Sequence, residues 1–448
     1  MDKKLKIASI SIIALLALII GLALFVDTSP KSITTNRKAG PSITNNDNSN
    51  DHKAALAQAT PSNQPVYKIF FENSGSMNGY VCMECTRIKD AVRELVRRIE
   101  GHNLSDNIKL FWLNSIVEQR NNDLNDFIKN LTQEAFQQES RGNRSETDIA
   151  ARFKLLLENI QDNEVGIMIS DCLLLPNIPA GLTIKHLLTE NSIEIYGHFN
   201  AKLKERNFST LVLQVFADFN GPYYDFQNPM SPAQQNITNR DRPYYIWIFG
   251  KPGHISKFNE HLPNFSAIQR NLRNSHHFAL YDSDGLPYRV LIAPKIGSFT
   301  LDLNNPRTQI NNARAESIGN LQGVFEFAVG VDFSSFPMGE EYFTNPDNYE
   351  LTPGYSIRIE ENNSPNLTHT LRLRTNTLQT ETVEIKLKNQ VPDWVEEYNL
   401  YDDTNINSPD QIEKTFGIKY IFKGVHEGYL THADYNEHFF NIQIHVNQ

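Results

Sequence analysis

The 448-residue chain has no excess of positive charge: 42 Lys and Arg stand against 52 Asp and Glu, a formal net charge of -10. Non-specific nucleic-acid binding needs a basic surface, so that class is excluded, and acidic partners are disfavoured by the same balance. Cysteine is scarce, with three residues. Cys82-Met-Glu-Cys85 is a single Cys-x-x-Cys with no second pair and little His around it, which excludes a zinc site. In an oxidising compartment the pair reads as a redox pair or a disulfide. Cys82 or Cys85 with Cys172 is an equal alternative, and three free thiols a further one. No Gly-x-Ser-x-Gly frames Ser76, since position 74 is Ser and position 78 is Asn, so an esterase elbow is excluded. No internal repeat is visible. Asp282-Ser-Asp-Gly285 starts like a calcium loop but lacks the twelfth-position Glu and runs into Pro287, so it reads as a turn. His276-His277 precedes a strand and reads as packing or surface.

What is present is an ordinary globular composition, 40% hydrophobic and 21% charged, long enough for two or three domains. Residues 1–6 carry Lys3, Lys4 and Lys6, and an unbroken apolar run follows over residues 7–26. At 1.5 Å per residue, about 20 residues cross the roughly 30 Å hydrocarbon core. The run is longer than a signal-peptide core, and Leu22-Ala-Leu-Phe-Val26 offers no small-x-small cleavage site. It is expected to be an uncleaved transmembrane signal anchor. The lysines keep residues 1–6 cytoplasmic and send everything downstream into the periplasm or outside the cell. No Cys follows the run, which excludes a lipoprotein anchor. Residues 27–64, rich in Ser, Thr, Asn, Pro and Gln, read as a flexible linker.

Val66-Tyr-Lys-Ile-Phe-Phe71 reads as a buried strand that breaks into Glu72-Asn-Ser-Gly-Ser76, with oxygen-bearing side chains at i, i+2 and i+4. Ile88, Val92, Leu95, Val96 and Ile99 then mark one face of a helix. In an open parallel sheet, a strand–loop–helix places its site at the carboxyl end of the strand. Downstream, Ser145-Glu-Thr-Asp148 opens a second helix with Ile149, Phe153, Leu156, Leu157 and Ile160 at its periodic positions. Val165-Gly-Ile-Met-Ile-Ser-Asp171 reads as another buried strand ending on a carboxylate.

Glu72, Ser74 and Ser76 resemble the first loop of a metal-ion-dependent adhesion site in von Willebrand factor A-type domains, where the pattern is Asp-x-Ser-x-Ser. Thr147 and Asp171 match, in chain order, the Thr and Asp that complete that site in the family. The resemblance covers residues 65–275. It departs at Glu72, whose carboxylate sits one methylene further out than the family's Asp. It implies a divalent cation, Mg2+ with Ca2+ or Mn2+ as alternatives, held by Glu72, Ser74, Ser76, Thr147 and Asp171. Hard cations take such oxygen ligands, and an open position would accept a carboxylate from a protein partner. Without a metal, Ser74 and Ser76 would serve as caps of the following helix.

The expected fold is α/β: a doubly wound, mostly parallel von Willebrand factor A-like sheet over residues 65–275, then a β-rich, sandwich-like domain over residues 276–448. Further strands are expected at 107–113, 192–196, 208–216 and 243–249, and helices near 183–188 and 255–262. The polar stretch 220–242 reads as an insertion loop that adds partner surface. Short period-two strands follow from residue 289, with a helix over 409–430 and a final strand at 440–445. No nucleophile–base pair flanks the acidic groups, so no enzyme is expected. The expected function is a membrane-tethered protein-binding module whose metal adhesion site captures an acidic residue of its partner. The alternative is a structural scaffold subunit of an envelope complex with a vestigial metal site.

Overall fold

A computed structural model describes residues 64–448, apart from 122, 140, 146–147, 175–181, 228–234, 281–285, 303, 306, 335, 337–339, 363 and 433–436. The expected anchor, nearly all of the linker, Thr147 and the 282–285 turn lie outside the described residues. Among the described residues, no helix is long and apolar enough to cross a membrane.

The protein is mixed α/β. Its largest sheet has seven strands: β1 (Val66–Glu72), β2 (Ile108–Leu113), β3 (Val117–Gln119), β4 (Glu164–Ser170), β5 (Ser209–Tyr223), β6 (Gln235–Gly250) and β7 (Leu272–Phe278), in the order β3-β2-β1-β4-β6-β5-β7. β1 lies at the centre of the site-bearing half, parallel to both β2 and β4. The apolar runs expected for a doubly covered sheet are there, and alternate β1 side chains meet different layers. Tyr67 packs on Phe258 of helix α4 (Pro252–His261). Lys68, on the opposite face, donates to the Asn159 carbonyl at the end of α2 (Ile149–Asn159). Helix α1 (Arg87–Gly101) buries Ile88, Val92, Leu95, Val96 and Ile99, the stripe its spacing predicts.

Three expectations are corrected. The sheet is not mostly parallel: beyond β4, β6 runs antiparallel to β4 and to β5, and β5 runs antiparallel to β7. The physical reason is the connection. β5 and β6 pair from Ser209↔Gly250 out to Tyr223↔Gln235 as one long hairpin, and a parallel return needs a crossover of a dozen or more residues. The expected insertion loop at 220–242 is therefore largely the distal half of that hairpin. Its Asn, Asp, Gly and Pro content is poor strand material by propensity, and cross-strand pairing overrides it. Third, Ser192–Tyr196 is not a strand but part of the 22-residue helix α3 (Ile184–Glu205). Its alternation is local, whereas the buried residues Leu188, Ser192, Ile195, Phe199 and Leu203 keep a helical period over about four turns.

Most of the later strands form two further sheets. One is β12 (Tyr349–Leu351), β15 (Glu381–Lys388), β18 (His438–Val446), β10 (Gln309–Arg314) and β9 (Ser298–Leu301). The other is β13 (Tyr355–Glu361), β14 (His369–Thr375), β11 (Phe325–Val331) and β8 (Tyr288–Ile296). Val383, Ile385, Ile442 and Ile444 of the first share one core with Phe327, Val329, Leu371 and Leu373 of the second. All described pairings here are antiparallel except β10 with β18. Between β15 and β18 the chain returns to the core of the seven-stranded sheet, where β16 (Asn399–Leu400) and β17 (Thr415–Phe416) form a short parallel pair. Helix α5 is shorter than its sequence suggests, running Ile418–Leu430 after Gly417 in a left-handed conformation. Its Ile421, Phe422, Val425 and Tyr429 join the same core as β1, β4 and α3.

Candidate functional site

Because β1 pairs in parallel with β4 up to Phe71↔Ile169, the next residues, Glu72 and Ser170, come side by side at the carboxyl end of both strands. Glu72 shares a face with Lys68, so its side chain points toward α2. Ser170 Oγ donates to Glu72 Oε2. Ser74 Oγ donates to Glu72 Oε1 at 2.5 Å and lies 2.9 Å from Ser76 Oγ. Asp148 caps α2 by accepting from Ala151 N at 2.9 Å, which starts the helix beside the loop. One turn in, Arg152 Nη1 donates to Glu72 Oε1 at 2.5 Å, with side-chain exposures of 2% and 0%.

Asp171 follows β4. It accepts from Leu173 N at 3.2 Å and from the Ser76 hydroxyl, while burial and then the Glu72 charge push it up to about 7. Of the five residues expected as metal ligands, Glu72, Ser74, Ser76 and Asp171 are brought together; Thr147 lies outside the described residues. The loop ahead of it is docked on the first loop. Arg144 Nε donates to the Asn73 carbonyl at 2.6 Å, its Nη2 to Asn78 Oδ1 at 2.8 Å, and Gly75 N donates to the Arg144 carbonyl at 3.0 Å. Ser76 does not cap an α-helix: Ser76–Val81 is a 3-10 turn without a side-chain cap.

The cluster is roofed. Glu72 and Ser74 are wholly buried, and Ser76 and Asp171 are 3% and 6% exposed. The distal β5–β6 hairpin bends over them, with Phe219 edge-on to Tyr80 at 4.8 Å. Tyr223 Oη donates to Asp403 Oδ2 at 2.7 Å, and burial pushes the Asp403 carboxyl up to about 6. Arg242 stacks over Tyr223 at 4.7 Å and donates to the Ile412 carbonyl at 3.0 Å. Its positive charge also bears on Asp171.

A hard cation held by Glu72 would need a carboxylate oxygen facing it. Oε1 is taken by Ser74 and Arg152, and Oε2 by Ser170, so an ion there would compete with a buried guanidinium of the same sign. Among the described residues, no group of three or more His, Cys, Asp or Glu side chains is placed to hold a metal. Sequence reasoning passed over Arg152. Its signal was present: it lies at i+3 from Ile149 and i-4 from Leu156, on the helix stripe that the apolar residues define. A charge on a buried stripe calls for a buried partner of opposite sign.

The cysteine alternatives resolve here. Cys82 and Cys85 form a disulfide. Cys172 is a buried free thiol whose sulfur accepts from Trp247 Nε1 at 3.2 Å.

Fold and site together define a mixed α/β unit, with a polar cluster at the carboxyl ends of its central strands, joined to a β-sandwich. No protein-family model, curated protein or solved structure matches the chain.

Proposed function

We propose that the chain is a structural, protein-binding ectodomain of an envelope complex. In this reading it is a scaffold whose loops keep the layout of a von Willebrand factor A-type adhesion site but hold Arg152 where that site holds its cation. One observation carries the reading: the wholly buried Glu72 carboxylate is ion-paired to the buried Arg152 guanidinium. A carboxylate neutralised from inside the fold organises the loops without a metal, and its burial leaves no opening for a partner's acid. The Cys82–Cys85 disulfide supports an oxidising compartment. That is the destination expected for a chain anchored through residues 7–26, and partner contacts would then be made by surfaces away from the cluster.

Metal-dependent capture of a partner's carboxylate rests on a different observation. Asp171 is raised to about 7 by burial and by Glu72, and a cation bound there would relieve both effects. Thermal melting of the full chain with chelator and with millimolar Mg2+, Ca2+ or Mn2+ separates the two readings. A ligand that binds only the native state raises the melting temperature. The scaffold reading expects no shift with any of the three. A rise that disappears in Asp171→Ala assigns the site to adhesion instead.

A further inference from the structure

β7 closes one edge of the seven-stranded sheet, and beside it lies a cavity of about 250 Å³. Three segments wall it. Asn274 and His276 come from β7, Tyr342, Asn345 and Asn348 from a corner of the sandwich, and Trp394 from the short helix Asp393–Glu397. Ligand sites favour such junctions between packed units, and this volume lies just under the usual range for drug-sized ligands, so it suits a single ring.

The walls are held from behind. Tyr342 Oη donates to the Lys388 carbonyl at 2.7 Å, and Asn348 Nδ2 donates to the Tyr342 carbonyl at 2.9 Å. The Trp394 indole packs edge-on against Phe422 of α5 at 5.1 Å. Polar capacity is left over among the lining residues. Asn274 donates its amide to Gln214 Oε1 at 2.7 Å, which leaves its carbonyl oxygen; Asn345 accepts from Asp347 N at 3.0 Å, which leaves its NH2. His276 is 2% exposed and lines the cavity with its ring packed on Phe278 and Phe422.

The composition selects the ligand class. Among the described residues that line the cavity there is no Lys or Arg, which disfavours phosphates and other anions. Asp393 and Glu397 could accept from a cationic amine, but such a ligand would leave the Asn345 NH2, a donor, unused. Hydroxyl groups donate and accept at once, which suits a wall of mixed amides, a ring nitrogen and the Asp393 and Glu397 carboxylates. An indole offers an apolar face for a ring's C–H side. We propose that this cavity binds a neutral polyhydroxylated ligand the size of one sugar ring, between the Trp394 indole and the Asn274, His276 and Asn345 side chains.

Intrinsic fluorescence tests this on the full chain in detergent. Trp112 and Trp247 are buried at 1% and 0% exposure, so the partly exposed Trp394 dominates any ligand-dependent change. The probes are D-glucose, D-galactose, N-acetylglucosamine and, as a cation, choline. A saturable change with at least one sugar is expected. Calorimetry should show that sugar binding about tenfold more weakly, the loss of one good hydrogen bond, in Asn345→Ala or in the exposed-site variant Glu397→Gln. Absence of a saturable response to all three sugars overturns the proposal. So does an equal response to choline, or a sugar affinity unchanged in both variants.

Discussion

Arg152 Nη1 lies 2.5 Å from Glu72 Oε1, and the two side chains, eighty residues apart in sequence, are both shut away from solvent. Removing one partner of a buried ion pair strands the other charge, which costs about 3–5 kcal/mol. Arg152→Ala and Glu72→Ala should each lose stability of that order in chemical denaturation. The double variant Glu72→Ala with Arg152→Ala should lose far less than the two single losses added. Additive losses would show that the two groups are not coupled.

The closeness of α5 to α3 depends on Gly424, because a Cβ there would sit 2.5 Å from the Ser192 carbonyl oxygen and 2.9 Å from Ile195 Cβ. Backbone on one side leaves nothing flexible to yield. Gly424→Ala gains about 1 kcal/mol of helix propensity but forces the two helices apart, at about 1–3 kcal/mol. The net expected change is a lower denaturation midpoint. A raised midpoint would mean that α5 is free to shift.

Two buried groups give opposite pH signatures. Burial pushes His426 down to about 4. Unfolding therefore takes up a proton below the ordinary value near 6.5, so the stability this group contributes is full above that value and is lost as the pH falls toward 4. Asp403 is raised to about 6 by burial; its contribution is full below about 3.9 and is lost as the pH rises through 6. Between pH 6 and 4.5, His426→Gln should flatten the acid-side loss, and Asp403→Asn should steepen it. Each change should be of the order of 1.4 kcal/mol per pH unit. Parallel wild-type and variant profiles would contradict the burial of that group.

The cysteines predict a simple labelling pattern. Burial holds the Cys172 thiol above its usual range, and the other two cysteines are joined. Alkylation followed by mass analysis should find no adduct on the native chain. One is expected after unfolding without reductant, and three after reduction. With a sequence separation of 3, the disulfide closes a very small loop, so Cys82→Ser with Cys85→Ser should cost only about 2 kcal/mol. Labelling of Cys172 in the native state would show that its pocket opens.

Much of the first layer was legible. The apolar runs ending at Phe71 and Ile169, and the stripe from Ile88 to Ile99, are periodic signals that burial enforces, and they form the expected elements. Four of the five nominated site residues come together because two parallel strands end side by side, a consequence of the strand–loop–helix order. The distal β5–β6 hairpin was not legible. Gly221, Pro222 and Asn236 favour turns, and only their cross-strand neighbours keep them in a ladder. β10, with Gln, two Asn and Arg among its six residues, was missed for the same reason.

The sequence alone therefore determined the central strands, their covering helices, the β-rich second half and the convergence of Glu72, Ser74, Ser76 and Asp171, because periodicity and chain order are local properties. Tertiary structure decided what neutralises Glu72, which cysteines join, which way β6 runs and what roofs the cluster. Each of these depends on a partner tens to hundreds of residues away, and a buried charge or an unpaired strand edge is satisfied by whatever the fold brings beside it.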